Sequence, residues 1–457
     1  MKTNLSTLQK NEMQRGNGII LFSLAIGFIM ATLDASIVNV ALATLQDVLN
    51  IRSSNISWVV DSYMLAFASL LLLGGSLAKK YGSKRIYLIG LSIFIIASLW
   101  CGLSMSGTQI IIARFLQGVG AALFMPSSLT LLVMSYSDEK QRAKMLGLWS
   151  AIVSVASGLG PFVGGVLITL LGWRSIFLIN IPIGVLGAFL TISAIKELPK
   201  DKNSSLSLSS NTSGVIMLSS FAYTLIEGGS KGWSILEVRI SMTIFVISLL
   251  VFIFLGRYSQ KPIIPRSLFK NKEFTTSNFI GTLLNFSMFG GLFMFGLFLQ
   301  KAGNNSSLIA GIKLLPMMIV FVIGNLIYSK ATNRLGTKMP LVIGLSMAGF
   351  GSLLLTITLS LPYAVIAAIY AFANLGVGIA VPSMTSIAMQ SAGNENSNVA
   401  SSVLNVARQI GSLIGVAVTG ILFYQAASYT LGATYSFLIM GILYCIAAFL
   451  ALTRINK

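Results

Sequence analysis

The sequence contains no histidine, two cysteines and only 12 acidic residues. Without an imidazole there is no ready metal ligand, nucleophile–base pair or histidine proton relay, so a proton that titrates near neutral pH must ride on a carboxylate. Cys101 and Cys445 both fall in apolar runs, which leaves neither a disulfide framework nor a metal-binding spacing. Charged residues make up 9% of the chain, against about 25% in soluble domains, and that shortage excludes a soluble globular protein. There is no glycine-rich phosphate loop ending in Lys-Ser/Thr, and no loop is long enough for an ATPase or kinase module. The lack of any nucleophile–base cluster argues against an enzyme.

What remains is apolar. Hydrophobic residues make up 55% of the 457, and the mean hydropathy is +0.85. The runs lack the alternation of barrel strands, so the reading is helical. About 20 residues at 1.5 Å rise cross a hydrocarbon core of ~30 Å. Windows of that length predict fourteen spans, at about 18–43, 57–78, 86–105, 109–134, 145–171, 175–195, 213–230, 239–257, 275–300, 308–329, 339–360, 362–390, 400–426 and 432–453. The polar stretch 1–17 precedes a long apolar run with no small-residue cleavage site, so the first span is retained and is not a signal peptide.

The formal net charge is +19. With the N-terminus inside, basic residues crowd the inner segments: Lys79, Lys80, Lys84 and Arg85, then Lys140, Arg142 and Lys144, and later Arg257, Lys261, Arg266, Lys270 and Lys272. The outer side keeps only Arg52, Arg174, Lys231, Arg239, Lys301 and Lys313. This asymmetry predicts both termini in the cytoplasm and accounts for the excess charge without nucleic acid. A Ser/Asn-rich linker at 196–213 and a basic loop at 257–273 with Pro262 and Pro265 divide the chain. The expected parts are an N-terminal six-helix bundle over 1–195, linkers and two extra helices over 196–274, and a C-terminal six-helix bundle over 275–457.

Three acids fall inside spans: Asp34, Asp61 and Glu227. An intramembrane acid is costly and marks a functional site by default. At ~1.5 Å per residue, Asp34 stands about 24 Å above the inner end of its span, and Asp61 and Arg114 enter from the outer side at broadly similar levels. Asp34 is assigned as the main proton-coupling carboxylate and Arg114 as its modulator. A guanidinium in reach favours the charged carboxylate, and opening the pair admits a proton. Asp61 reads as a second proton or cation site. Plainer readings stay open: Asp34 as an inter-helix pin, Asp61 as a wetted interfacial acid, Arg114 as a snorkelling residue.

An apolar, aromatic and adaptable cavity suits lipophilic cations. Candidate lining residues are Asn39, Trp149, Asn285, Phe286, Met288, Phe289, Phe293, Phe295, Gln300 and Met317, although Phe and Met serve equally as core. At Gly160-Pro161, proline removes a backbone donor and glycine removes bulk, so the helix bends and approaches a neighbour closely. A packing kink without a gating role is the alternative.

Six stretches in order then carry a resemblance. They are Leu33-Asp34-Ala35-Ser36-Ile37-Val38-Asn39-Val40-Ala41-Leu42, Trp58-Val59-Val60-Asp61-Ser62-Tyr63-Met64-Leu65 and Arg114-Phe115-Leu116-Gln117-Gly118-Val119-Gly120-Ala121-Ala122. Next come Gly160-Pro161-Phe162-Val163-Gly164-Gly165, Trp173-Arg174-Ser175-Ile176-Phe177-Leu178-Ile179-Asn180-Ile181-Pro182-Ile183-Gly184 and Asn405-Val406-Ala407-Arg408-Gln409-Ile410-Gly411. Over nearly the whole chain, this set resembles the fourteen-span drug:proton antiporter branch of the major facilitator superfamily, staphylococcal multidrug pumps included.

The resemblance implies an all-α membrane fold of two six-helix bundles plus two extra transmembrane helices, working by alternating access around a midplane cavity. It implies a multi-pass, proton-coupled antiporter of the bacterial plasma membrane that exports lipophilic or cationic drugs such as ethidium, quaternary ammonium compounds and fluoroquinolones. Its partners would be the drug, protons and the lipid bilayer; it would act as a monomer, with protons as the coupling ion and no other cofactor, metal or nucleic acid. The resemblance also implies Glu227 as a further proton-coupling acid, and Gly160, Pro161, Gly164 and Gly165 as a coupling hinge. An exporter of one metabolite, fatty acid or siderophore is the alternative.

Three positions depart from the family pattern. Lys79 and Asn333 stand where acids usually latch the cytoplasmic gate, which leaves latching to other partners, and Asp61 replaces a common threonine.

The charge asymmetry makes a direct prediction. A fluorescent reporter fused after Lys457 lights up in intact cells, whereas alkaline phosphatase fused there stays inactive; the reverse pattern would overturn the assigned orientation.

Overall fold

The computed structural model describes residues 2–52, 55–136, 138–195, 197, 207–258, 262–305 and 307–456. Among them the chain is helical, without a strand. The first helices are α1 (Lys2–Val48), α2 (Trp58–Tyr81), α3 (Ser83–Leu103), α4 (Gly107–Ser135), α5 (Glu139–Leu171), α6 (Ser175–Leu178) and α7 (Asn180–Ala194). There follow α8 (Leu208–Lys231), α9 (Leu236–Tyr258), α10 (Arg266–Lys270), α11 (Lys272–Lys301) and α12 (Ser307–Leu335). The chain ends with α13 (Lys338–Thr358), α14 (Tyr363–Ala392), α15 (Ser397–Gln425) and α16 (Tyr429–Arg454). Most of the expected linker at 196–213 lies outside the described residues.

Among the described residues 12 helices are long and apolar enough to cross a membrane, where the sequence led us to expect fourteen. The two expected spans not among them are 145–171, in α5, and 213–230, in α8. In α5 the side chains of Ser154, Ser157 and Pro161 lie outside the described residues, which leaves Phe162–Leu171 as its described apolar stretch. In α8 the cause is a polar stripe: Ser210, Asn211, Ser213, Ser220, Thr224 and Glu227 are all buried. Those residues dilute the mean hydropathy while facing inward. By contrast α9 reaches a hydropathy of 2.5 with 17% of its window buried, the signature of a lipid-facing helix.

The helices form two compact units, one of Met1–Phe67, Gly74–Ser137 and Leu159–Ser204, the other of Ala68–Leu73, Asp138–Gly158 and Ser205–Lys457. In the first, α1 packs on α4 and α7, and α3 on α4. In the second, α11 packs on α15 and α16, α13 on α14 and α16, and α8 on α9 and α15.

In lipid, helices associate by close packing rather than by the hydrophobic effect, and the tightest crossings fall at glycine. A Cβ on Gly90 of α3 would meet the Gly120 carbonyl oxygen at 2.7 Å, and one on Gly120 would meet the Gly90 oxygen at 2.7 Å. The α13–α14 crossing repeats this: a Cβ on Gly344 would meet the Gly376 carbonyl oxygen at 2.5 Å, and one on Gly376 would press as closely on the Gly344 oxygen. A proline follows in both helices, Pro126 in α4 and Pro382 in α14.

Helix ends are fixed by local chemistry. Gly82 turns the chain from α2 into α3 at φ 97°, a conformation that favours glycine. Lys84 Nζ donates to the carbonyls of Ile192 (3.0 Å) and Ile195 (2.6 Å), meeting the negative end of α7. Asn271 Oδ1 caps α11 by accepting from the N–H groups of Glu273 and Phe274 at 3.0 and 3.2 Å.

Gly120→Ala and Gly376→Ala each force backbones apart, an overpacking cost of about 1–3 kcal/mol that lowers the melting temperature in detergent. Gly229, with nothing within 4 Å of a new Cβ, accepts alanine without loss. Equal melting temperatures for all three variants would refute this account of the crossings.

Candidate functional site

Asp34 sits within the Gly18–Val38 span of α1 and is 1% exposed; Arg114 of α4 is fully buried. The two form an ion pair through Arg114 Nη1 and Asp34 Oδ2. The guanidinium is held from three further sides. Its Nε donates to the Val59 carbonyl at 2.9 Å, Nη1 also donates to Gln117 Oε1 at 2.8 Å, and the group lies over the Tyr63 ring, 4.5 Å from its centroid. Nη2 is buried without a hydrogen-bond partner among the described residues.

The second carboxylate oxygen faces amides. Asp34 Oδ1 accepts from Asn180 Nδ2 at 3.0 Å and from Gln117 Nε2 at 3.3 Å. Ser98 Oγ in turn accepts from Gln117 Nε2 at 2.7 Å and from Asn180 Nδ2 at 3.3 Å, and Cys101 Sγ donates to Gln117 Oε1 at 3.3 Å. The carboxylate therefore has a donor on each oxygen, which is what a buried charge needs to offset its desolvation. Its donors tie α1 to α4 and α7 through this one carboxylate, and neutralising it would weaken the charge-assisted contact to Arg114.

The expected hinge lies against the same helix. A Cβ on Gly160 would meet Ser36 Oγ at 1.8 Å, and one on Gly164 would meet Ile37 Cγ2 at 3.2 Å, whereas Gly165 has open space. So α5 touches α1 just beyond Asp34. The side chains of Pro161 and Asn39 lie outside the described residues.

Other expected residues stand elsewhere. Asp61 is half-buried in the first turn of α2, where a helix N-terminus favours an acid, and it is not among the groups that touch Asp34. Glu227 is 2% exposed on α8, in the second unit. Trp149 and Asn285 are buried, and Asn285 Nδ2 donates to its own helix at the Gly281 carbonyl, 2.8 Å away. Met317 and Phe295 belong to an apolar interior cluster with Met294, Phe298 and Tyr370. Phe286, Met288 and Gln300 are half-buried, while Phe289 and Phe293 are 39% and 38% exposed. Lys79 closes the last turn of α2, and the Asn333 side chain lies outside the described residues.

Gln117, Asn180 and Tyr63 stand within the sequence motifs but received no role there, and Ser98 lies outside them. The available signal was spacing: Gln117 follows Arg114 by one helical turn and so shares its face.

Removing one amide from Asp34 Oδ1 takes away a hydrogen bond to a charged group worth about 1.5–3 kcal/mol, so Asn180→Ala loosens the α1–α7 contact and lowers the melting temperature in detergent. A melting temperature equal to wild type would reduce Asn180 to filling space.

Comparisons with known proteins agree with this architecture. The Major Facilitator Superfamily profile matches residues 24–416. The methylenomycin A resistance protein of Bacillus subtilis (strain 168) is 45% identical, over 98% of this chain and 96% of that protein. The multidrug resistance protein Stp of Mycobacterium tuberculosis is 31% identical, over 89% of this chain and 76% of that protein. The solved structure of the proton:xylose symporter XylE superposes with a TM-score of 0.70 at 14% identity, covering 97% of this chain and 96% of that one; that likeness speaks for the fold alone. The chain belongs to the Major Facilitator Superfamily, and is a multi-pass membrane transporter rather than an enzyme.

Proposed function

We propose that this chain is a proton-coupled antiporter that exports lipophilic drugs from the bacterial cytoplasm by alternating access. The observation that carries the reading is Asp34: a buried carboxylate whose every donor comes from a neighbouring helix. In a chain without histidine, this is the group on which a proton can change helix–helix contacts. The resistance relatives supply the drug. Their methylenomycin A and multidrug phenotypes fit a lipophilic cargo, and the cationic dyes expected from the sequence are tested beside it.

The proposed topology has fourteen spans with both termini inside. At 33 and 24 residues, α5 and α8 measure about 50 and 36 Å at 1.5 Å per residue, which is long enough to cross. Each pH unit contributes about 1.4 kcal/mol per proton, and each charge moved adds ~2.3 kcal/mol per 100 mV.

Cells producing the wild-type chain survive methylenomycin A and extrude ethidium; a protonophore or Asp34→Asn abolishes both. If Asp34→Asn protein, present at normal level, still confers protonophore-sensitive resistance, coupling does not run through Asp34. If neither compound is exported by wild type, the drug reading is wrong.

A further inference from the structure

Two arginines stand inside spans, and they differ in company. Arg114 is matched by Asp34, Gln117 and the Val59 carbonyl. Arg408, in the middle of α15, has no hydrogen bond or ion pair among the described residues. It lies about 17 Å from the start of the 29-residue helix at 1.5 Å per residue, too deep to reach lipid headgroups by snorkelling. A guanidinium left bare in hydrocarbon is costly and faces protein or a water-filled path.

The helical pattern says which. Gly411 and Gly415 pack on α11, where a Cβ would meet the Thr282 and Phe286 carbonyl oxygens at 2.2 Å in each case. Val406, Ile410 and Leu413 face Leu218 and Phe221 of α8. Of the two arcs left, one is apolar, with Val403, Ala407, Ile414 and Val418, and suits lipid. The other carries Ser401, Asn405, Arg408 and Ser412. Ser401 is 0% and Asn405 7% exposed, so protein covers this polar arc at one end; Arg408 and Ser412 are half-buried, so it opens where the guanidinium stands.

We propose that Arg408 is an anion-binding site of the transport path and that it recognises the carboxylate of a lipophilic organic acid. The planar guanidinium offers parallel N–H donors that match a carboxylate in a two-pronged contact, Ser412 adds a hydroxyl on the same arc, and the surrounding apolar residues accept the body of the molecule. This deepens the drug-export reading and rests on it for the word transport, but binding is measured without it.

The test uses purified full-length protein in nanodiscs and three probes of one shape: 2-naphthoate, its methyl ester and 2-naphthylmethylammonium. Wild type binds naphthoate at least tenfold tighter than the ester and more tightly than the ammonium. Arg408→Gln loses that factor for naphthoate and leaves the ester within twofold. Arg408→Lys, which keeps the charge but not the fork, retains part of the preference.

A second measurement needs no variant. Modification of Arg408 by phenylglyoxal, read by mass spectrometry, is slowed by naphthoate and not by the ester. The proposal falls if wild type shows no preference for the acid, if folded Arg408→Gln binds naphthoate as wild type does, or if it loses acid and ester equally. It also falls if naphthoate leaves the labelling rate unchanged. An acid preference that survives while cells export no drug would preserve the site and sink the exporter reading; drug export without the preference would do the opposite.

Discussion

A charge held in a bilayer has to be met by polar groups of the protein or by a water-filled path, because lipid will not meet it. In the first unit that requirement fixes the relation of four helices. Asp34 needs donors, and they arrive from Arg114 and Gln117 on α4 and Asn180 on α7; Arg114 in turn reaches the Val59 carbonyl at the start of α2. The short α5–α1 approach at Gly160 and Ser36 then lies one residue pair beyond the charge. Movement of α1 relative to α4 or α7 changes the donors of Asp34, and a proton on Asp34 changes the same contacts. The proposed coupling of proton and helix motion therefore calls on one carboxylate's hydrogen bonds rather than on a long relay.

The second unit shows what the scaffold does without that charge. The α13–α14 crossing at Gly344 and Gly376 repeats the α3–α4 crossing at Gly90 and Gly120, as the internal repeats of this kind of transporter lead one to expect. In both α4 and α14 the proline stands six residues after the crossing glycine; six residues before it stand Arg114 in one and Tyr370 in the other. Tyr370 stacks edge-on to Phe295 and Phe437, with ring centroids 4.9 and 5.5 Å away. The same register therefore holds an ion pair in one unit and an aromatic cluster in the other. The ionic version depends on the charge of Asp34, whereas the aromatic version has no charge to lose.

Much of this was legible in the sequence, and the reason is contrast. A lone aspartate or arginine in an apolar run stands out, so Asp34 and Arg114 were found, and the order of motifs pointed to the family. Uncharged amides do not stand out: membrane helices carry many Ser, Thr and Asn, as the buried stripe of α8 shows, so Asn180 and Gln117 could be quoted but not given a task. The same stripe lowers the hydropathy of α8, because averaging along a helix discards which side a residue faces. The aromatic residues were ambiguous for a related reason. Composition makes Phe295 and Phe293 alike, yet Phe295 is fully buried and Phe293 is 38% exposed. Only tertiary packing separates a wall from a core.

Charge balance ties the two arginines to the direction of transport. Asp34 is occupied by Arg114 in this structure, so a cationic drug meets no free carboxylate at that site unless the pair first opens. An anion meets no such obstacle at Arg408. With the cell interior negative, an organic acid leaving and a proton entering each move charge in the favoured direction. For that proposed exchange one proton suffices, and Asp34 would supply its site. Export of a cation against the same potential needs a second proton for the voltage to assist, and hence a second titrating group; Asp61 and Glu227 do not contact Asp34 within the hydrogen-bonded set described above. The proposed exchange of one organic acid for one proton needs one carboxylate for the proton, Asp34, and one guanidinium left open for the acid, Arg408.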